Sequence, residues 1–466
     1  MTNPLWTPSP ELVANCAMTQ FLHFVNNETS LSLKDDKELY DWSIDQYPEF
    51  WNAVWDFCHV IGDKGERLVE NKDQMPGCKF FPDAKLNYAE NLLHVPREEN
   101  EIALHFWGED KVKRQMTFAE LRAQVSQFQQ FLIAQGVTKG DRVAAFMPNT
   151  PETLIAMLAA TSLGALWSSA SPDFGVQGIL DRFGQIEPKI LLVTDGYFYN
   201  GKWVDCRAKI EEFVPQITSI KKTVLVSYEA KQIDIYAGAL LWSDILAQYQ
   251  PQEITYTRVE FNHPLFIMFS SGTTGKPKCI VHGTGGTLLQ HLKENHLHCN
   301  LGEGDKSFYF TTCGWMMWNF LVSGLACGVT LCLYDGSPFA PDGNILFDYS
   351  DAVGFTLFGT SAKYIDTLHK QNYKPMDTHK LDSIKIITST GSVLVPEGFD
   401  YIYSNVKKDV QLSSISGGTD IIASFMIGYP TRPVYRGELQ GAGLGFALNV
   451  YDENGKPCPV GVKGEL

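Results

Sequence analysis

The sequence predicts an α/β protein built on two helix-covered, mainly parallel β-sheets, with a smaller β-rich subdomain beginning after them. Three observations carry that prediction. From about residue 100 short apolar runs alternate with amphipathic helical stretches. A segment dense in glycine, hydroxyl and lysine side chains directly follows the apolar run PLFIMFSS. Beyond about residue 434 the chain turns to glycine and short alternating segments, as in ALNVYDENGKPCPVGVKGEL. Strand–helix alternation buries both faces of a parallel sheet under its own crossover helices, and this gives the fold class.

The elements follow in order. Residues 39–62, LYDWSIDQYPEFWNAVWDFCHVIG, place Phe50, Val54 and Phe57 on one helical stripe with Trp51 and Trp55 beside it. This reads as an amphipathic helix docking on the main body, with an aromatic cofactor box as the sharper alternative. EIALHFWG is a strand, and Thr117 with Glu120 forms a T-x-x-E capping box that opens a helix to about Gln135. DRVAAFMP, a helix over 152–163, a helix near 175–185 and the strand KILLVTD continue the pattern. The second half repeats it: PLFIMFSS, a helix over 284–298, SFYFTT, VTLCLYDG, GFTLFGT, a helix near 361–371 and SIKIITSTGS. The expected units are a helical extension (1–98), a first α/β subdomain (99–262), a second carrying the glycine-rich loop (263–433), and an incomplete β subdomain (434–466) with ENGK as a hairpin turn.

Composition narrows the function. A formal charge of −15 argues against a nucleic-acid surface, which needs a long basic stripe. The 10 cysteines are scattered without C-x-x-C or metal spacing, and read as reduced structural thiols. His282 and His298 have no ligand partner at metal spacing and read as structural histidines. The start MTNPLWTPSPEL has no basic, apolar leader, so a cytoplasmic protein is expected. The most apolar windows, 154–167 and 320–333, are shorter than the roughly 20 residues a membrane span needs. Nothing in the sequence sets an oligomeric state.

The segment 270–278, SSGTTGKPK, is the centre of the chemistry. Its glycines allow close backbone approach, its hydroxyls and N–H groups donate to oxyanions, and lysine supplies charge without fixed geometry; together they read as a phosphate cradle. It is not G-x-x-x-x-G-K-[ST], because Ser270 stands where the first glycine is required and Pro277 follows Lys276.

This loop resembles that of the adenylate-forming superfamily. VHGTGG, CGWMMWNF, STGS and SGGTDI follow it in the order that family uses. WSIDQYPEFWNAVW and FFPDAKLNYAENLL resemble the acetyl-CoA synthetase branch, and SPDFGVQGILDRFGQIEPKILLVTDGYFYNGK with SGGTDI resembles the acetoacetate–CoA ligase group. The resemblance implies the large N-terminal body of the adenylate-forming fold, with a β-barrel-like subdomain starting near its end. It implies that Ser270, Ser271, Gly272, Thr273, Thr274, Gly275 and Lys276 hold the pyrophosphoryl oxygens of ATP, and that Gly391, Ser392 and Val393 lie along the adenine. Thr419 corresponds to a threonine on the α-phosphate, and Asp420 to an acidic Mg²⁺ ligand that is usually Glu. Trp315, Met316, Met317, Thr390 and Gly417 would line the acyl pocket, with Gly417 leaving room where the acetyl branch has tryptophan. Gly201 and Lys202 resemble a turn that meets coenzyme A phosphates, although Asn200 replaces the arginine before it.

The implied activity is ATP-dependent conversion of acetoacetate to acetoacetyl-AMP and then acetoacetyl-CoA, with ATP, Mg²⁺ and coenzyme A required. Another short-chain acyl-CoA synthetase and a non-catalytic nucleotide-binding remnant are the alternatives. Family members continue beyond the position of Leu466 into a C-terminal domain with the adenylation lysine. The resemblance therefore implies a truncated chain of weak or no turnover.

Overall fold

The computed structural model describes residues 3–231, 233, 234, 236, 238–270 and 275–466. Its framework is a pair of seven-stranded sheets of the same design, each with six parallel strands and one antiparallel strand at an edge. The first runs in the order Leu240–Leu241, Lys222–Val226, Ile190–Thr194, Arg142–Phe146, Leu166–Ala170, Pro264–Ser270 and Lys278–Gly283. The second runs Gln411–Ser414, Ile386–Thr390, Leu357–Ser361, Lys306–Tyr309, Thr330–Asp335, Ile102–Gly108 and Val112–Thr117. Central strands such as Ile190–Thr194 and Thr330–Asp335 are buried throughout, which explains why they read as unbroken apolar runs.

The α/β class is as the sequence predicts, but a division at residue 262 does not follow the sheets. Ile102–Gly108 pairs with Thr330–Asp335 in the second sheet, and Pro264–Ser270 pairs with Leu166–Ala170 in the first. Each body thus borrows a hairpin from the other half of the chain. An apolar run is compatible with either sheet, so only long-range register assigns it. Arg114, on the borrowed edge strand, closes the junction with a bidentate pair to Glu152 at 2.6 and 3.1 Å.

The expected helix over 39–62 is two helices. Asp36–Asp45 is capped by the Asp35 carboxylate, and Tyr47–Phe57 starts anew with Pro48 in its first turn. Phe50, Val54 and Trp55 are buried in the same core as the first sheet, so the aromatic stripe is packing. The Thr117–Glu120 capping box is present on the helix Phe118–Ala134. The helix expected over 284–298 is α-helical only over Thr284–Leu292 and widens into a π turn over Lys293–His298.

The β-rich segment starts earlier than residue 434. Ser416–Gly418, Ala423–Ile427 and Gly441–Ala442 form a three-stranded sheet. The ENGK turn is formed, with the Asp452 N–H donating to the Lys456 carbonyl at 2.8 Å, and Tyr451 bridges Pro457 and Glu465. All 10 cysteines are free. No helix among the described residues is long and apolar enough to cross a membrane.

Candidate active site

In open α/β sheets ligands bind in the crevice beyond the carboxyl ends of the strands. A cavity of about 410 Å³ opens there, at the second sheet. Strand Ile386–Thr390 delivers Thr390 and then Gly391, Ser392 and Val393; strand Gln411–Ser414 leads into Ile415–Thr419; the segment after Lys306–Tyr309 brings Trp315, Met316 and Met317. Gly391 has φ +85°, a left-handed turn that takes the chain out of the sheet without a Cβ penalty. Trp315, Met316, Met317, Thr390, Gly391, Ser392, Val393, Gly417 and Thr419, all read from the sequence, share this one cavity.

The CGWMMW segment is pinned from the first sheet. The Cys313 thiol donates to the Met147 carbonyl at 2.8 Å, and the Ser169 hydroxyl donates to the Cys313 carbonyl at 2.6 Å. Trp318 donates its indole N–H to Asn149 at 2.9 Å, fixing the helix Met316–Ser323 that Trp315 precedes. Trp315 itself is 65% exposed, with its ring at the mouth of the cavity. Ser416 and Gly418 of the SGGTDI motif also line the space, as do Ser414, Ile415, Gly437 and Leu439, which were not picked out from the sequence. Closeness to the SGGTDI motif was the available signal for Ser414 and Ile415.

Gly417 has a different reason for being glycine than acyl room alone. A Cβ there would meet the Ala423 carbonyl oxygen at 2.0 Å and Ser424 Cα at 2.7 Å. Its backbone lines the cavity, but any side chain would collide with the paired strand. At Gly418 the same test finds only the Asp420 nitrogen, at 4.0 Å.

Thr419 and Asp420 sit at the turn of the hairpin Ser416–Gly418/Ala423–Ile427. The turn's own hydrogen bonds are long: Ile421 N–H to the Gly418 carbonyl and Ile422 N–H to the Thr419 carbonyl, both 3.3 Å. Shorter bonds come from elsewhere. His282 pairs with the Thr419 carbonyl at 2.7 Å, His291 with the Ile422 carbonyl at 2.8 Å, the Ser424 N–H donates to Glu294 at 2.8 Å, and His298 pairs with the Gly428 carbonyl at 2.9 Å. Strand Lys278–Gly283 and the helix after it therefore form a polar rail along the hairpin. His282 and His298 are structural, as expected from the sequence. His291 and Glu294 were missed, although their spacing with His298 marks one helical face.

Burial sets the charge of this rail. His282 is held below its ordinary pKa by desolvation, against the Thr419 carbonyl and the Asp420 carboxylate, which pull the other way. Desolvation pushes Glu294 up and Lys293 down. The Lys293 ammonium donates to the Leu444 carbonyl at 3.1 Å and lies over the Phe446 ring.

Ser271, Gly272, Thr273 and Thr274 lie outside the described residues. Ser270 ends the first-sheet strand, and Gly275 and Lys276 are exposed just before the return strand Lys278–Gly283. That return strand carries His282, so the loop and the Thr419 turn are joined through one histidine. Asp420 is exposed, and its carboxylate makes no hydrogen bond or ion pair among the described residues. No cluster of three His, Cys, Asp or Glu suited to a metal occurs among them. A single open carboxylate fits Mg²⁺, which commonly takes one or two protein oxygens and completes its shell with substrate phosphates and water. Asn200 and Gly201 have φ +52° and +71° and turn the hairpin between Gly196–Tyr199 and Lys202–Asp205. The Gly201 N–H donates to the Glu109 carboxylate at 2.8 Å, so this amide is committed and faces an acid, which disfavours a phosphate there.

Sheet topology, cavity and motif order define a class, and the comparisons bear it out. Residues 94–466 match the AMP-binding enzyme family, and residues 36–92 match the acetyl-coenzyme A synthetase N-terminus. The chain belongs to the AMP-binding enzyme family. It is similar to an acetoacetyl-coenzyme A synthetase of Rhizobium meliloti (strain 1021), 53% identical over 99% of this chain and 71% of that protein. The solved structure of an acetoacetyl-CoA synthetase from Streptomyces lividans superposes with a TM-score of 0.93 at 38% identity, covering 98% of this chain and 71% of that one. A malonamoyl-CoA synthetase of Penicillium aethiopicum is 38% identical over 96% of this chain and 66% of its own length. These coverages leave the expected truncation unestablished.

Proposed function

We propose that the chain activates acetoacetate with ATP to acetoacetyl-AMP and passes the acyl group to coenzyme A, releasing pyrophosphate and then AMP. The observation that carries this reading is the shared cavity, in which Trp315, Met316, Met317 and Thr390 meet Gly391–Val393 and Thr419. Apolar walls with a few polar groups and a volume of about 410 Å³ suit a small acyl group beside a nucleotide. Trp315 and the two flexible methionines wall the acyl end, Gly391–Val393 support the adenine, and the Thr419 hydroxyl donates to the α-phosphate.

The acetoacetate carboxylate oxygen attacks the α-phosphorus, a P–O bond forms, and pyrophosphate leaves in line. The thiolate sulfur of coenzyme A then attacks the acyl carbon and AMP departs. No protein nucleophile is needed; the residues position the reactants and offset phosphoryl charge. Ser270, Gly275 and Lys276, with Ser271–Thr274 between them, take the pyrophosphoryl oxygens. Asp420 would hold Mg²⁺, which would supply charge neutralisation on the phosphates.

The test is acid-dependent ATP–pyrophosphate exchange. Acetoacetate is expected to exceed acetate by roughly tenfold or more in kcat/KM, since a methylene-scale difference in an apolar pocket gives discrimination of that order. A preference for acetate would sink the assignment. Malonamate is the second reading, favoured by the Penicillium relative, because it carries an amide where acetoacetate has a methyl ketone and is nearly the same size.

A further inference from the structure

We infer that His291 is a positioning residue for adenylation, fixing through the Ile422 carbonyl the turn that presents Thr419 and Asp420. The inference rests on the roles proposed above for those two residues. His291 is fully buried and lines neither the cavity nor the loop, so it acts only through the backbone it holds.

The hydrogen inventory fixes its tautomer. A carbonyl oxygen only accepts, so Nε2, 2.8 Å from the Ile422 oxygen, carries the proton. Burial pushes the ring down to about 4, so it is neutral and Nδ1 bears a lone pair. The Ser323 hydroxyl has one hydrogen and two acceptors in reach, that lone pair at 2.7 Å and the Asn319 carbonyl at 2.8 Å, and shares it between them, while the Tyr88 hydroxyl, 2.5 Å from Ser323, donates its own hydrogen to the serine oxygen. The relay runs Tyr88 to Ser323 to His291 to Ile422. It begins on helix Tyr88–Leu93 of the N-terminal extension and ends two residues past Asp420.

The turn needs such a hold. Ile422 has φ +49°, a left-handed conformation in which a β-branched residue is strained. The turn's internal bonds of 3.3 Å are too long to impose it, whereas the bonds from His291 and Glu294 to residues 422 and 424 are 2.8 Å. Without His291 the left-handed residue relaxes, and with it the direction in which Thr419 and Asp420 point.

The experiment compares His291→Phe, His291→Gln, Ser323→Ala, Asp420→Asn and the His291→Phe/Asp420→Asn double variant. The readouts are acetoacetate-dependent ATP–pyrophosphate exchange, Mg·ATP binding by calorimetry, and thermal melting. His291→Phe is expected to lower exchange kcat roughly tenfold with KM for acetoacetate changed less than about threefold, the size of effect a misplaced contact produces. His291→Gln, which restores an N–H donor, should recover part of that loss. The double variant should be little worse than Asp420→Asn, since the two changes act on one turn. If His291→Phe fails to fold, Ser323→Ala carries the test, with an expected loss of roughly threefold in kcat from an unset ring. Normal kcat in a folded His291→Phe or Ser323→Ala enzyme with only a lower melting temperature overturns the inference, as do losses that multiply in the double variant. Wild-type exchange by Asp420→Asn instead overturns the role given to Asp420, and His291→Phe must then still lower kcat for the inference to stand.

Discussion

A Cβ built on Gly417 would lie 2.0 Å from the carbonyl oxygen of Ala423. The contact sets a Cβ, fixed by its own backbone, against main chain across the hairpin that carries Thr419, so neither side can yield by a rotamer change. Gly417→Ala is expected to destabilise the fold by about 1–3 kcal/mol, the range typical of overpacking. Gly418→Ala, whose Cβ has open space, should stay within about 0.5 kcal/mol of wild type. Urea unfolding of the two variants side by side checks this; equal midpoints would mean that the hairpin opens easily at Gly417.

That contrast shows where sequence reasoning reached and where it stopped. The resemblance carried by motif order brought Trp315, Thr390, Gly391 and Thr419 into one site; Trp315 and Gly391 come after strands with plain apolar runs, whereas the strand leading to Thr419, QLSS, gives no such signal. Sheet membership was not legible: Leu104 opposite Leu331 and Phe266 opposite Trp167 are choices of partner among equally apolar strands. Gly417 read as acyl space; it does line the cavity, and the facing backbone leaves no room for a Cβ, which the sequence could not show. Lys293 and Glu294 drew no comment in the expected helix over 284–298, and a π turn buries both beneath the hairpin.

Acyl selectivity gives a second prediction, moved by the geometry from Gly417 to its neighbour. Gly418 lines the cavity and a Cβ there meets nothing closer than 4.0 Å, so Gly418→Val is expected to narrow the proposed acyl end without breaking the hairpin. The kcat/KM ratio of acetoacetate to acetate should fall by about tenfold, in line with the loss of one or two methylene-sized contacts. Exchange assays with both acids measure the ratio. A ratio that does not move removes Gly418 from the acyl wall.

Lys276 is exposed just before the strand Lys278–Gly283 and makes no ion pair among the described residues. A flexible ammonium of this kind is best used on charge that develops as pyrophosphate leaves. Lys276→Ala should therefore lower kcat for exchange by about 10²-fold while KM for ATP changes only a few-fold, a pattern that separates transition-state from ground-state binding. A rise in KM at constant kcat would instead make the lysine a simple tether for the nucleotide.

The last prediction concerns pH and the junction of the two sheets. Asp335 ends strand Thr330–Asp335 of the second sheet, and Tyr228, from the first body, donates its hydroxyl to it at 3.2 Å. The Asn149 N–H is its other partner, at 3.3 Å. These bonds do not offset full burial, and the nearby carboxylates of Glu109 and Asp173 add to the penalty, so Asp335 is pushed up from an ordinary 3.8 to about 7. Between those two values the folded chain holds a proton that the unfolded chain has released. Stability from this group is therefore fully present below about 4 and is lost as pH rises through about 7. Asp335→Asn keeps the shape and cannot ionise, so its stability relative to wild type should rise steadily between those pH values and level off above them. Urea midpoints taken at several pH values, with total ionic strength fixed, give the comparison. A difference between the two proteins that is flat across that window would mean that Asp335 is ionised in the folded junction, with water or a cation reaching it.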